Sequence, residues 1–429
     1  MERYSEYCES GTGWLGELPS HWQLRRISAL YDARNEKVSD QDYPPLSVTM
    51  QGIVPQLETA AKTQDGDNRK LVRAGDFVIN SRSDRRGACG ISAYDGSVTL
   101  ISNVLAPKDR NAMSTRYYSY LFRSEGFADE FYRQGTGIVD DLWSTNWTRM
   151  KNILVARPPR AEQERIADYL DAKTAEIDAL VADCEREVGL LQEYRKAVIS
   201  EAVTKGLDPD APMKDSGIEW IGEIPEGWDT ARTKQVCSKI TDGSHFSPDI
   251  VDEGYPYITA TNIRGRGIDY SSAKLIDEES YGQLVQNGCR PQCGDVLMVK
   301  DGATTGRAGL MTDDEPCVIL SSVALLRPTP ICNSDYLFYF IQSHCFQEQV
   351  LVSMAGSAMP RTTLDKLVEY CITLPPIPEQ IAISAYLDAK TSEIDSLIEA
   401  KQSMADKLCE YRRSLISEAV TGKFKVPGV

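Results

Sequence analysis

Apolar residues recur every seven positions in two stretches of this chain. Leu170, Ile177, Cys184, Leu191 and Val198 form one series; Leu387, Ile394, Leu408 and Leu415 form the other, with Lys401 interrupting it. A seven-residue apolar repeat is the seam of a coiled coil, so each stretch is predicted to be one long helix. Double prolines precede both, at Pro158–Pro159 and Pro375–Pro376. They close the preceding strand and set up a helix start, where Glu162, Glu164 and Glu379 sit near the positive end of the dipole. Elsewhere the pattern is shorter. DFVIN (Asp76–Asn80), VTLISNVLA (Val98–Ala106), DVLMVK (Asp295–Lys300) and CVILSSVALL (Cys317–Leu326) are apolar and β-branched runs between Gly/Asp turns, and read as strands. A helix-like stretch follows in each region, Arg116–Gln134 and Asp335–Leu351.

The two long stretches also repeat each other. EYRKAVISEAVTKG (Glu193–Gly206) returns as EYRRSLISEAVTGK (Glu410–Lys423), and YLDAKTAEID (Tyr169–Asp178) as YLDAKTSEID (Tyr386–Asp395), identical at nine of ten positions. GWLGELPSHW (Gly13–Trp22) is answered by EWIGEIPEGW (Glu219–Trp228). Each half therefore reads as a Trp/Pro segment, a long variable region of mixed α+β pattern, and a long helix. The expected divisions are 1–157 for the first Trp/Pro segment and globular domain, 158–204 for the central helix, and 205–228 for a Gly/Pro/Asp-rich linker with the second Trp/Pro segment. A second globular domain at 229–374 and a final helix and tail at 375–429 complete the chain.

Composition changes this picture little. With 41% hydrophobic and 26% charged residues in 429, the chain has the make-up of an ordinary globular protein. No run approaches the ~20 apolar residues of a membrane span, and the first residues lack the basic-then-apolar order of a signal peptide, so the cytoplasm is expected. Eleven cysteines, odd in number and irregularly spaced, suit reduced thiols. Charge changes it more. The net −16 argues against phosphate binding at first sight, yet Arg25 to Arg157 carries 19 Lys and Arg against 16 Asp and Glu, whereas Arg160 to Val203 carries 6 against 11. The first globular region is mildly basic and the helix after it acidic.

Candidate catalytic motifs fail on spacing. The DAK triplets (Asp171–Lys173, Asp388–Lys390) have the D-x-K form of a metal-dependent nuclease but lie inside the predicted helices with no acidic partner on a strand. YPPL (Tyr43–Leu46) lacks the ends of an amino-methyltransferase loop, and GATTGR (Gly302–Arg307) is too short for a phosphate-binding loop. Cys289 with Cys293, and His344 with Cys345, do not make the two well-spaced pairs of a tetrahedral zinc site, so no metal ligands are assigned. Three histidines, His21, His245 and His344, are too few for a convincing triad.

The basic loops carry more. NSRSDRRG (Asn80–Gly87) leaves a strand and presents Arg82, Arg85 and Arg86 with two serines, a set suited to phosphate contact and bidentate guanine readout. In the second half the matching place holds Lys300, Thr304, Thr305 and Arg307. His245 lies in another loop, and Arg361 in GSAMPRTT (Gly356–Thr363). Solvated loop charge balanced by Asp84 and Asp301 is the competing reading.

Taken together, SGIEWIGEIPEGW (Ser216–Trp228) with its earlier copy, the PP…EQ…I…YLD helix starts and the EYR…ISEAVT helix ends resemble the specificity (S) subunit of type I restriction-modification systems. The resemblance spans essentially the whole chain. It implies an α+β fold in which two globular target-recognition domains are separated by two long antiparallel coiled-coil helices, a pseudo-twofold internal repeat. It further implies a non-catalytic chain that binds double-stranded DNA at a bipartite asymmetric target and holds two modification (methyltransferase) subunits, with restriction (translocase/nuclease) subunits joining in some systems. S-adenosylmethionine, ATP and Mg would then belong to the partner subunits. Two copies of one partner need one docking surface twice. The repeated segments supply its candidates: Trp14, Trp22, Trp220, Trp228, Tyr194, Arg195, Tyr411 and Arg412. Two other readings stand beside this one, a coiled-coil scaffold carrying two ligand- or protein-binding domains without a DNA role, and a nuclease acting alone.

Overall fold

The computed structural model describes residues 2–56, 66–82, 87–137, 143–245, 248–354 and 360–429. The chain forms two compact units, one built from Met1–Glu185 with Ser403–Val429 and the other from Arg186–Gln402. Both long helices expected from the seven-residue period are present, a central helix at Arg160–Lys205 and a C-terminal helix at Ile377–Val420. Each crosses from one unit to the other, so neither unit is a single run of sequence. Among the described residues no helix is long and apolar enough to cross a membrane.

In the first unit, strands β1 (Tyr31–Ala33), β2 (Phe77–Asn80), β3 (Cys89–Ile91) and β4 (Ser102–Pro107) form an antiparallel sheet in the order β3-β2-β4-β1. The β2 run is buried at every position, which is why it reads as an unbroken apolar stretch rather than an alternating one. Its entry is a turn at Gly75, whose φ of +89° favours glycine, followed by fully buried Asp76. That carboxylate accepts from Arg34 Nε at 2.8 Å and from the Arg73 amide at 3.0 Å, so the buried charge is compensated.

Helices α1 (Thr115–Arg123) and α2 (Glu125–Arg133) pack on this sheet through Phe77, Phe122 and Phe127, with Phe77 and Phe122 stacked at 4.2 Å. The sequence pattern reads through them as one helical stretch, but the chain turns at Ser124. Its ψ of 147° is extended, and its side chain caps α2 by accepting from the Phe127 amide.

The second unit repeats the plan. Strands β5 (Cys237–Asp242), β6 (Val296–Val299), β7 (Ala308–Leu310) and β8 (Val323–Pro328) pair in the order β5-β8-β6-β7. Gly294 and Asp295 repeat the entry turn, though here the partner of the aspartate is Arg327, from β8. Helices α3 (Ser334–Gln342) and α4 (His344–Met354) follow, again broken at a capping serine, Ser343. This unit adds a second four-stranded sheet and a helix at Glu278–Gln286.

Each unit takes the beginning of one long helix and the end of the other. The first core contains Ile166 and Leu170 together with Leu415, Ala419 and Val420; the second contains Ile383 and Leu387 with Val198, Ile199, Ala202 and Val203. The repeated EQ glutamines, Gln163 and Gln380, are fully buried at the helix starts. Gln163 accepts from the Ser114 amide and donates to the Pro158 carbonyl, both at 2.8 Å; Gln380 does the same with Asn333 and Pro375, both at 2.7 Å. The helix ends are held by buried tyrosines. Tyr117 donates to the Val420 carbonyl at 2.9 Å and Tyr336 to that of Val203 at 3.1 Å. In the second unit the helix halves run antiparallel, shown by Glu187–Lys401 and Arg195–Asp395, and in the first they are joined by Asp178–Arg412.

Candidate nucleic-acid interface

The site in the first unit is built where β2 ends. Arg82 is exposed, its amide donates to Asn80 Oδ1 at 3.0 Å, and its backbone bridges to Ser144. Thr145 ties the same edge down, its amide donating to the Ser81 carbonyl at 2.9 Å and its hydroxyl to that of Phe131 at 2.7 Å. Beside it Trp143 stacks on Tyr132 at 5.6 Å and donates from Nε1 to the Tyr132 carbonyl. Arg85 and Arg86, the other two arginines of this loop, lie outside the described residues.

At the end of β6 the second unit gathers most of its candidates in one place. Lys300, Thr304 and Thr305 follow that strand, and Asp301 bridges to Arg361 as Arg82 does to Ser144. Thr305 donates to the Gly302 carbonyl at 2.7 Å, and the Gly302 amide to that of Pro360 at 2.9 Å. His245 lies 3.5 Å from Asp242 and is exposed.

Burial divides these residues. Lys300 is not the surface cation its sequence position suggests. It is 2% exposed, its ammonium held 2.7 Å from Asp301 and 3.4 Å from Asp242, so it fixes the loop from beneath. Arg307 is exposed and reaches the Ile263 carbonyl at 3.4 Å. Arg361 is exposed beside Asp301, 3.0 Å from Nε to the carboxylate. Thr304, Arg307, Arg361 and His245 are therefore the side chains of this edge able to meet a ligand.

The repeated residues sort in the same way. Trp22 and Trp228 are core residues, 5% and 1% exposed, with Trp22 donating to Glu162 at 3.0 Å. Their repetition follows from packing. Trp14 is half-buried against Phe127 at 5.9 Å, and Trp220 remains exposed. Arg195 and Arg412 join the helices through Asp395 and Asp178 and are not free for a partner. Tyr194 and Tyr411 are exposed, as is Tyr386.

Tyr194 and Tyr386 flank Lys390 in the second unit, and Tyr169 and Tyr411 flank Lys173 in the first. Each lysine's pKa is raised by its bonded glutamate, Glu393 or Glu176, and to a lesser extent by the two phenols. A Tyr–Lys–Tyr patch thus occurs once per unit. The sequence singles out the tyrosines of the helix ends as partner contacts but not Tyr169, Lys173, Tyr386 and Lys390, which read there as part of the repeated helix start and, for the lysines, as a failed nuclease motif. The aspartates of that motif anchor the globular regions to the helices. Asp171 accepts from Tyr120 at 2.6 Å and pairs with Arg116; Asp388 accepts from Tyr339 at 2.6 Å and pairs with Arg266.

Residues 225–403 match the family model described as type I restriction modification DNA specificity domain. The chain is 25% identical over 319 residues to the type I restriction enzyme MjaVIII specificity subunit of Methanocaldococcus jannaschii, covering 72% of this chain and 70% of that one. It is 22% identical to the putative MjaX specificity subunit of the same organism, covering 96% of each. A chain solved in work on complex assembly and conformational transition of the type I R-M system superposes with a TM-score of 0.70 at 16% identity, over 94% of this chain and 98% of that one. The HsdS subunit of Thermoanaerobacter tengcongensis superposes at 0.51 and 18%, with the same coverages.

Proposed function

We propose that this chain, which is similar over most of its length to type I restriction-modification specificity subunits, is a non-catalytic protein of DNA target recognition that reads a bipartite DNA target, one part per unit, and holds two modification subunits. One contrast carries the reading. The two units share a sheet order and a loop position at the end of β2 and β6 while the loop residues differ, whereas the same Tyr–Lys–Tyr residues recur in both, with Tyr194, Tyr386 and Tyr411 exposed and Tyr169 half-buried against Phe424. Different loops on equivalent edges suit two different base sequences; identical patches suit two copies of one partner.

In the second unit Arg307 and Arg361 supply guanidinium groups, Thr304 a hydroxyl, and His245 an imidazole, all groups that hydrogen-bond phosphates or base edges. Arg82 holds the corresponding place in the first unit, with Arg85 and Arg86 as further candidates from its loop. S-adenosylmethionine, and ATP and Mg where a restriction subunit joins, act in the partner subunits, and the complex works on cytoplasmic DNA.

The test is to map methylated motifs in cells with and without this gene, and again with the Thr304→Ala/Arg307→Ala double variant. A motif in two parts is expected, with the variant relaxing one part only. Loss of a bidentate arginine should cost about 1–3 kcal/mol of discrimination at one base pair. A contiguous motif would overturn the two-part reading. For the assembled complex, affinity should fall steeply with salt, since phosphate binding releases counterions; a scaffold with no DNA role would show no such dependence.

A further inference from the structure

The two units differ at one junction, where α1 meets α2 in the first and α3 meets α4 in the second. Ending a helix leaves carbonyls without partners, and a buried one must find a donor. In the second unit the donor is Gln347, on the first turn of α4. Its side-chain Nε2 donates to the Ile341 carbonyl at the end of α3, at 2.6 Å, and to the Gly306 carbonyl at 2.9 Å. Gly306 lies in the turn between β6 and β7 with φ +92°, and a Cβ there would stand 2.3 Å from Gln347 Oε1. One amide therefore ties a helix end to the loop that carries Thr304, Thr305 and Arg307.

The first unit meets the same need differently. The Phe122 carbonyl, placed as Ile341 is, accepts from Cys89 Sγ at 3.2 Å. Burial pushes that thiol up to about 12, which keeps it protonated as a donor. Residue 128, in the position of Gln347 four residues after the capping serine, is an alanine. Gly87, where a Cβ would stand 3.1 Å from Met50 Cε, lines a cavity of about 620 Å3 together with Met50, Ala128, Arg123 and Tyr120 among others.

We infer that Gln347 is a positioning residue for DNA reading by the second unit, holding the β6–β7 loop in register for its half-site, and that the first unit lacks this tether. The inference rests on the proposed reading of DNA by that loop. A recognition group displaced by an ångström loses most of its discrimination. Gln347→Glu keeps the shape but presents acceptor oxygens to two carbonyls, while Gln347→Ala removes the group.

The experiment uses the complex of this chain with its modification subunits. Binding and single-turnover methylation are measured on duplexes carrying one substituted base pair at a time in either half of the mapped motif. Both variants are expected to lose about tenfold of the discrimination in the half read by the second unit, the size of a single mismatch, and to leave the other half unchanged. The amides of Gly306 and Arg307 should exchange faster in the free complex, a readout of loop position that does not depend on DNA. Unchanged discrimination in both halves with the fold retained, or an equal loss in both, would overturn the inference. The Thr304→Ala/Arg307→Ala variant separates the levels. If it too leaves sequence preference intact, the loop does not read DNA; if it alone relaxes one half, the loop reads DNA and Gln347 does not position it.

Discussion

Asp76 and Asp295 show how much one side chain sets the base of a reading loop. Each lies behind a left-handed glycine and directly before the strand whose far end carries candidate DNA contacts. Asp295→Ala would strand Arg327, which is partly exposed and can turn toward solvent, so a loss of about 2–3 kcal/mol is expected, below the full value for a broken buried pair. Urea unfolding followed by fluorescence would measure it; a change under about 0.5 kcal/mol would show that the pair is dispensable. The thiols give a second expectation. Burial pushes Cys89, Cys317 and Cys332 up to about 12, whereas Cys8, Cys293 and Cys409 are exposed. At pH 8 an aromatic disulfide reagent should modify these last three in a fast phase, and reach the buried ones only after denaturant. The sequence shows the Gly-Asp turns plainly but not the arginine each aspartate takes. Arg34 lies 42 residues before its partner, just past β1, and Arg327 32 after, on β8, and no local spacing encodes that choice.

At the scale of elements, periodicity and proline made the long helices legible, and the strand runs were found by their unbroken apolarity. What escaped was punctuation. Ser124 and Ser343 interrupt apolar patterns that continue on either side, so a single capping hydroxyl outweighs a period that spans both helices. Caps also give these elements a pH response. Asp277, at the start of the helix Glu278–Gln286, has its carboxyl held below the ordinary value, first by the Ser280 amide and then by the Ser280 hydroxyl. A depressed carboxylate contributes stability above its unfolded value of ~3.9 and loses it as pH falls toward the lower folded one. Amides of this helix should therefore exchange faster at pH 3 than at pH 5 after correction for intrinsic rates. Asp277→Asn keeps a good cap acceptor without the charge and should flatten that dependence. An unchanged dependence in the variant would place the acid response elsewhere.

For the molecule as a whole, the repeated helix ends are explained by how each core is completed. The sequence leaves two causes of the repetition, partner docking and packing of the helices on each other; the structure gives the packing its form, since each helix end closes a core begun by the other helix. In the second unit the segment after the central helix runs on to Trp228, which packs with Ile221 and Ile224 against Val203. In the first unit the same place is filled from two distant parts of the sequence. Phe424 and Val426, 4% and 1% exposed, join Leu15, Leu18 and Trp22 in the core, and Lys423 donates to the carbonyls of Leu15 and Glu17 at 2.6 and 2.7 Å. The Lys425 amide adds a bond to the Glu2 carbonyl at 2.7 Å. Deleting residues 422–429 therefore removes two buried apolar side chains from a unit whose reading loop lies more than three hundred residues earlier. At about 1.5–3 kcal/mol for each such side chain, the first unit should lose about 3–6 kcal/mol. The second, which takes no part of the deleted segment, should keep its stability. Hydrogen exchange resolved by peptide can follow the units separately, avoiding a single two-state fit to a two-unit chain. Faster exchange confined to 2–185 and 403–421 is expected, with relaxed reading of one half of the DNA motif. If protection falls equally in 186–402, the tail supports the whole chain rather than one core, and the swapped helix ends do not divide the molecule into separately completed units.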